Sequence, residues 1–380
     1  MMANYPQICA DLTKIRHNID MLTALCVAHG VSIAAVTKVV CADENIVRVL
    51  ENSGAAMLAD ARLENLARLQ TRKPKLLLRA PSPDEADETV RLADISLVSE
   101  KGTIRALGTA ARAAGRKHAI ILMIDLGDLR EGLLFTNRKA ILSAADAAKA
   151  EPNIELLGVG TNLTCYGAII PDETNLGELC RIAGEVRAHT GLPVPIVSGG
   201  NSSTLGLLKR GCVPDGVNHL RLGESILLGN DTAARRVMNG LCGDAFTLSA
   251  QLIEVQTKPS VPIGESGANA FGERPTFFGD GDQIRGICKI GRQDTAADGL
   301  TPRDADIKII GASSDHLIVD LTRARPYRVG DVLDFTPDYG ALLRAYTSEY
   351  VKKTYVGEPK PAQRHLPPVE ADTRRRFLRE

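Results

Sequence analysis

The sequence has no tryptophan and few aromatic residues of any kind, 4% of 380. It therefore lacks the ring surfaces on which single-stranded nucleic acid stacks and the aromatic belts of membrane interfaces. An excess of one charge is missing as well. Forty-six Lys and Arg balance 46 Asp and Glu, which excludes a polyanion binder working through a bulk basic field and leaves room only for a local anion pocket. No apolar run approaches the roughly 20 residues of a membrane span; the longest, such as Ile120–Ile124, is the length of a strand. The eight cysteines (9, 26, 41, 165, 180, 212, 242 and 288) form no C-x-x-C and no H-x-C pair. Zinc knuckles and thioredoxin-type centres fail on that spacing, and no metal is expected. Met1–Cys9 carries neither a basic nor an apolar leader segment, so a cytoplasmic protein with no nucleic-acid or membrane partner is expected.

What is abundant is Ala, Leu, Ile, Val and 34 glycines, a composition suited to packed α/β layers. From Ser32 onward short apolar runs alternate with helical patterns. The strand candidates are Ser32–Thr37, Ala55–Leu58, Lys75–Leu78, Ile95–Val98, Ala119–Asp125, Glu155–Thr161, Val194–Ser198 and Asn218–Leu222. Eight such units in about 200 residues predict a (β/α)8 TIM-type barrel. After about Asn239 the helical periodicity gives way to alternating runs broken by Gly and Pro, from Thr247–Gln256 to Asp331–Phe335, which predict a smaller antiparallel β domain. Gln7–Asp11 precedes the barrel and is free to pair with that later domain. The expected division is a barrel over 12–234, a β domain of 1–11 plus 235–356, and a disordered polar tail over 357–380.

Barrels of this type build their sites from the loops after the strands. The first run ends in Thr37-Lys38, and a lysine at an apolar mouth is desolvated enough to become an amine nucleophile. The fifth is followed by D-L-G-D-L-R-E-G at 125–132, where Arg130 suits recognition of a carboxylate. The seventh runs into S-G-G-N-S-S at 198–203 and the eighth into R-L-G-E at 221–224. Glycines, hydroxyls and helix starts at those two loops are where this architecture binds phosphate. An amine, a carboxylate-binding arginine and a phosphate cradle on one face imply pyridoxal 5'-phosphate and an amino-acid substrate.

These stretches, with A-V-T-K-V-V-C at 35–41, G-V-G-T-N-L-T-C-Y-G at 158–167, G-A-S-S-D-H-L at 311–317 and T-S-E-Y-V at 347–351, resemble the alanine/ornithine racemase family of fold-type III pyridoxal-phosphate enzymes. The resemblance implies Lys38 as the lysine that condenses with the cofactor and serves as one acid/base, and Arg130 near the cofactor phenolate and the substrate carboxylate. It implies Asn162 near the cofactor face and a phosphate cup of Ser202 with the backbone of Gly200, Asn201, Gly223 and Glu224. Tyr339 is implied to reach the phosphate, and Arg221 to partner the ring nitrogen. An arginine there donates to an unprotonated nitrogen and weakens the electron sink, which favours racemisation over transamination.

Racemisation needs an acid/base on each face of the reacting carbon. The family's partner-subunit tyrosine has no counterpart in Pro262–Glu273, so the candidates for the second group are His316, Asp315, Cys165, Cys288 and Tyr166. The resemblance implies a homodimer with shared sites. For a distal ammonium of an ornithine- or lysine-type substrate the acidic candidates are Glu265, Glu273, Asp280 and Asp282; alanine- or serine-type substrates stay open. The competing readings are a D-amino-acid aldolase or dehydratase on the same scaffold and a non-catalytic cofactor-binding protein.

Overall fold

A computed structural model describes residues 5–277, 279 and 281–357. The chain divides into two compact units, Leu12–Gly243 and a second made of the N-terminal residues to Asp11 together with Asp244–Gly357.

The first unit is the barrel. Its strands are β2 (Ser32–Val36), β3 (Met57–Asp60), β4 (Lys75–Leu77), β5 (Ile95–Val98), β6 (His118–Asp125), β7 (Ile154–Gly160), β8 (Ile196–Ser198) and β9 (His219–Leu222). Each pairs in parallel with the next, and β9 closes the ring by pairing with β2 through Arg221↔Ala34 and Leu222↔Ala35. Closure leaves no strand edge open to another chain. The alternation of side chains along a strand sorts the residues into two cores. Ala34, Val36, Met57, Leu76, Leu97, Ile121, Met123 and Ile196 fill the ring. Ile120, Leu122, Ile124 and Val159 face outward under the helices, where they meet Ile104, Leu107, Ile141, Leu179 and Ile182.

Two of those helices show why the chain turns where it does. Asp172 caps α7 (Glu173–Thr190) by accepting from the Asn175 backbone at 2.7 Å, and Gly191 ends it in the left-handed region at φ 73, the conformation glycine adopts without strain. α1 (Leu12–Ala28), which lies outside the eight strand–helix units, buries Ile15, Ile19, Leu22 and Cys26 at near-fourfold spacing.

The second unit is a sheet ordered β12-β15-β10-β11-β14-β13, built from β10 (Phe246–Pro259), β11 (Asp282–Cys288), β12 (Leu300–Pro302), β13 (Lys308–Ala312), β14 (Leu317–Asp320) and β15 (Val332–Pro337). These pairings are antiparallel. β1 (Gln7–Asp11) pairs antiparallel with β10 and parallel with β16 (Lys352–Val356). One helix, α10 (Tyr339–Thr347), buries Leu342, Ala345 and Tyr346, and the Tyr346 ring meets Phe246 edge-on at 5.9 Å.

No helix among the described residues is long and apolar enough to cross a membrane. Because Ile121 is fully buried inside the ring, Ile121→Ala should cost about 2–5 kcal/mol of barrel stability. Val27→Ala, on the exposed face of α1, should stay within about 0.5 kcal/mol. Urea denaturation of the two variants checks the contrast, and equal costs would contradict the packing described.

Candidate active site at the mouth of the barrel

Lys38 leaves β2 through one turn of 3-10 helix, Lys38–Val40, and the backbone on both sides of that turn is held. Before it, the buried Thr37 hydroxyl donates to Asp60 Oδ2 at 2.7 Å, at the end of the neighbouring β3. The other Asp60 oxygen accepts from the Arg62 N–H and from Asn65 Nδ2, both at 3.0 Å. After it, Cys41 and Ala42 are both left-handed, at φ 51 and 54, a conformation costing an L-residue roughly 1–2 kcal/mol. Burial holds the Lys38 amine below the ordinary lysine range, the Arg130 and Arg221 guanidiniums push it the same way, and Cys165 and Asp60 oppose them. The free base is thus accessible at lower pH than for a solvated lysine.

Arg221 stands on β9, buried, and among the described residues no carboxylate comes within ion-pair range of it. Its guanidinium donates instead to neutral acceptors, the Ser198 hydroxyl and the Thr161 carbonyl, the latter at 2.6 Å. Burial, with Arg130 adding to it against Glu131 and Cys165, draws its pKa down to about 10. It remains a cation at neutral pH.

Arg130 and Cys165 come from the loops after β6 and β7, and a single carboxylate ties those loops together. Asp128 is 1% exposed. It accepts from the backbone N–H groups of Thr164 (3.0 Å), Cys165 (3.2 Å), Tyr166 (3.0 Å) and Ile169 (3.3 Å). Gly167 is required beside it, since a Cβ there would stand 2.8 Å from the Asp128 carbonyl oxygen. Cys165 Sγ accepts from Asn162 Nδ2 at 3.2 Å and from Asn201 Nδ2 at 3.4 Å. Arg130 is half-exposed and paired with Glu131, whose Oε1 accepts from Nη2 at 2.5 Å. Glu131 thereby occupies the Nε and Nη2 side of the guanidinium.

The loop after β8 runs along β9 through Gly199 N–H to His219 O at 2.9 Å and Arg221 N–H to Gly200 O at 3.0 Å. Gly199 is pressed against Val217, 2.5 Å from where a Cβ would stand, and Gly200 has φ 105. Asn201 accepts from the Ser203 N–H at 2.8 Å and donates to Asn162 Oδ1 at 2.9 Å. Ser202 Oγ is 2.9 Å from Ser225 Oγ, at the start of α9 (Glu224–Leu228). Ser203 Oγ is buried with no partner, and the Glu224 carboxylate turns away to Thr232 Oγ1 at 3.0 Å. Hydroxyls, backbone N–H groups and an orphaned buried donor, with the one acidic side chain pointing elsewhere, fit a phosphate group.

Lys38, Arg130, Asn162, Cys165, Asn201 and Arg221 are therefore brought together, and Gly200, Ser202, Gly223 and Glu224 form the two glycine loops beside them. Tyr166 stands on the same loop as Cys165 with its side chain exposed, and the remaining candidates belong to the second unit. Asp315 and His316 sit on the exposed hairpin tip between β13 and β14, where Ser314 Oγ donates to Asp315 Oδ2 at 2.7 Å and Ser313 accepts from the His316 N–H at 3.2 Å. Tyr339 is the first residue of α10. Two expectations need correction. Cys288 is fully buried in β11, where burial pushes its thiol up to about 12, out of range for acid/base work. Glu273 is taken by Arg292 through two hydrogen bonds of 2.8 and 2.9 Å, which hold its carboxyl down to about 2. Glu265 and Asp282 are exposed, and Asp280 lies outside the described residues, as does the expected tail from 358 onward. Among the described residues no three His, Cys, Asp or Glu side chains gather as a metal site.

Asp128, Ser198 and His219 were not singled out as functional from the sequence. For Asp128 the signal was present, an acidic residue between glycine and a turn, but its partners lie some 40 residues away.

The alanine racemase N-terminal domain family matches residues 10–231. An ornithine racemase of Acetoanaerobium sticklandii is 45% identical over 351 residues, 92% of this chain and 99% of that one. A lysine racemase of Thermotoga maritima is 37% identical over 354 residues, 92% and 98% of the two chains. Among solved structures, alanine racemase from D-cycloserine-producing Streptomyces lavendulae superposes with a TM-score of 0.71 at 20% identity, covering 94% of this chain and 98% of that one. The Bartonella henselae enzyme with covalently bound pyridoxal phosphate gives 0.69 at 17%, covering 92% and 99%. The chain belongs to the alanine racemase N-terminal domain family. Within that family it is an amino-acid racemase.

Removing the Asp128 carboxylate leaves four loop N–H groups without their acceptor, at about 1–3 kcal/mol for each one that stays buried. Asp128→Ala should speed amide exchange at Thr164–Ile169 while leaving α7 protected, as read by hydrogen–deuterium exchange. Unchanged protection of that loop would refute its anchoring role.

Proposed function

We propose that the protein interconverts the L and D forms of a basic amino acid, ornithine or lysine, with pyridoxal 5'-phosphate at the barrel mouth. The observation that carries the reading is Lys38, desolvated and flanked by Arg130 and Arg221, beside two glycine loops that fit a phosphate. The substrate rests on the 45% and 37% identical relatives named as ornithine and lysine racemases. When bound, the cofactor supplies an electron sink that acidifies the substrate α-carbon.

The chain's own residues do the rest. Ser202, with the backbone of Gly200, Asn201, Gly223 and Glu224, would hold the phosphate, with Tyr339 as a further contact, and Asn162 would border the ring. Arg221 would donate to the ring nitrogen and, staying cationic, keep it unprotonated. Lys38 takes or returns the α-proton on one face. For the other face Cys165, Asp315 and His316 are the candidates, and the place of Cys165 beside Lys38 and Arg221 favours it. The cofactor domain in this reading is the barrel over 12–234, with 1–11 plus 235–356 as the β domain. A homodimer with shared sites is the proposed assembly. Its support is the exposed apolar groups each unit carries: Leu129, Tyr166 and Ile170 on one, Ile263, Phe271 and Phe277 on the other.

Because the Lys38 pKa is lowered, its amine becomes the free base below the ordinary value of about 10.4. The rate at which apoprotein and pyridoxal phosphate form a visible absorption band should therefore rise with pH to a midpoint below that value, and Lys38→Ala should form no band. A midpoint at or above the ordinary value, or a normal band in the variant, would reject the assignment. Polarimetry over a panel of amino acids should show ornithine or lysine losing rotation faster than alanine or serine. Cys165→Ser should lower racemisation at least about tenfold while α-proton exchange with solvent persists for one enantiomer. Unaltered racemisation would leave Asp315 and His316.

A further inference from the structure

Inside the ring, behind Arg221, lies a polar column that the assignments above do not use. Ile196, two residues before Ser198, and Ala34, the register partner of Arg221, both belong to the interior core. Alternation therefore places Ser198, His219 and Arg221 on that same inner face, and Ser198 and His219 are register partners across β8 and β9. Arg221 Nη1 donates to Ser198 Oγ, and Ser198 Oγ lies 2.8 Å from His219 Nδ1.

The donor inventory fixes the direction of this chain. A guanidinium has donors and no acceptor, and a serine hydroxyl has one proton and two lone pairs. Among the described residues Ser198 Oγ has two partners, Arg221, which can only donate, and His219 Nδ1, so the hydroxyl proton has an acceptor only if Nδ1 is bare. His219 is neutral with its proton on Nε2, the state its burial also favours by holding it down to about 3. Nε2 itself is buried with no partner, so the ring acts through Nδ1 alone. An orphaned donor in a core costs about 1–3 kcal/mol. A hydrophobic residue would avoid that cost, which points to a role for Nδ1.

The structure contains its own control. His118 is also buried, held neutral by that burial, and also bonded to a serine, with Nε2 2.8 Å from Ser96 Oγ. Among the described residues no arginine hydrogen bonds to that pair.

We propose that Ser198 and His219 are positioning residues for Arg221: they hold its guanidinium in one orientation inside the barrel and so set the proton state of the cofactor ring nitrogen and the preference for racemisation over transamination. This rests on the function proposed above. In the side reaction they suppress, the substrate amino group passes to the cofactor, giving pyridoxamine phosphate and the keto acid in equal amounts.

Two measurements test it. In the apoprotein, 15N histidine spectra should show His219 with a bare, hydrogen-bonded Nδ1 and a protonated Nε2, and Ser198→Ala should shift the Nδ1 signal. In the loaded enzyme, the pyridoxamine phosphate formed per racemisation turnover should rise about tenfold in Ser198→Ala and in His219→Leu. It should return to within about twofold of wild type in His219→Asn, whose side-chain oxygen restores an acceptor, and should not move in Ser96→Ala. A protonated Nδ1 in the wild type would overturn the proposal, as would an unchanged turnover ratio in folded Ser198→Ala. If Ser198→Ala does not fold, the His219→Leu and His219→Asn comparison decides by the same ratio. Failure of the cofactor to bind at Lys38 would instead strike the function proposed above, and the apoprotein spectrum would still judge the hydrogen-bond chain.

Discussion

A buried arginine without a carboxylate is the constraint around which the barrel interior is organised. Taking a guanidinium out of water costs several kcal/mol after relaxation, and pairing it with Asp or Glu would cancel the field it presents to its surroundings. The fold uses dipoles instead, a backbone carbonyl from Thr161 and a hydroxyl from Ser198. Those acceptors solvate the charge without neutralising it. The positive potential then remains at the mouth, where it adds to the burial that lowers the Lys38 pKa and where an anionic ligand would gain from it. The zero net charge of the whole chain conceals this local excess.

That arrangement makes demands on distant parts of the chain. Thr161 follows β7, and the loop beyond it is anchored by Asp128 after β6, so the acceptor for Arg221 and the placement of Cys165 depend on one buried carboxylate. Asn201 links the same loop to the glycine turn after β8. Arg221, Cys165 and the glycine turn after β8 are thus supported by shared hydrogen bonds, and a change at one alters the geometry of the others.

The barrel was legible because its strands are short apolar runs at regular intervals, and period-two alternation in His118–Asp125 already separates Ile121 and Met123 from Ile120, Leu122 and Ile124. Lys38, Arg130 and the two glycine loops were legible because the architecture fixes where a strand's C-terminal end must point. α1 was open to reading, with Ile15, Ile19 and Leu22 on one face, yet it lies before the first repeat unit and the repeat does not predict it. What composition and spacing could not supply was pairing across strands. Ser198 and His219 are 21 residues apart, and nothing local marks either as polar interior until the register of β8 and β9 is known. Glu273 was misjudged for the same reason, since its partner Arg292 lies 19 residues on.

The N-terminal strand adds a temporal dimension to this architecture. Gln7–Asp11 lies between β10 and β16, in a sheet whose other strands begin at Phe246. It is synthesised before the barrel, yet its partners are synthesised only after the whole barrel. Domains generally fold as units during synthesis, N-terminal first, so the barrel can close while an unpaired strand hangs from its first helix. Two of the alternating residues in that strand, Ile8 and Ala10, are fully buried in the finished sheet. For the time it takes to translate the second unit they face water or a chaperone, an unpaired apolar edge that persists until both β10 and β16 are made.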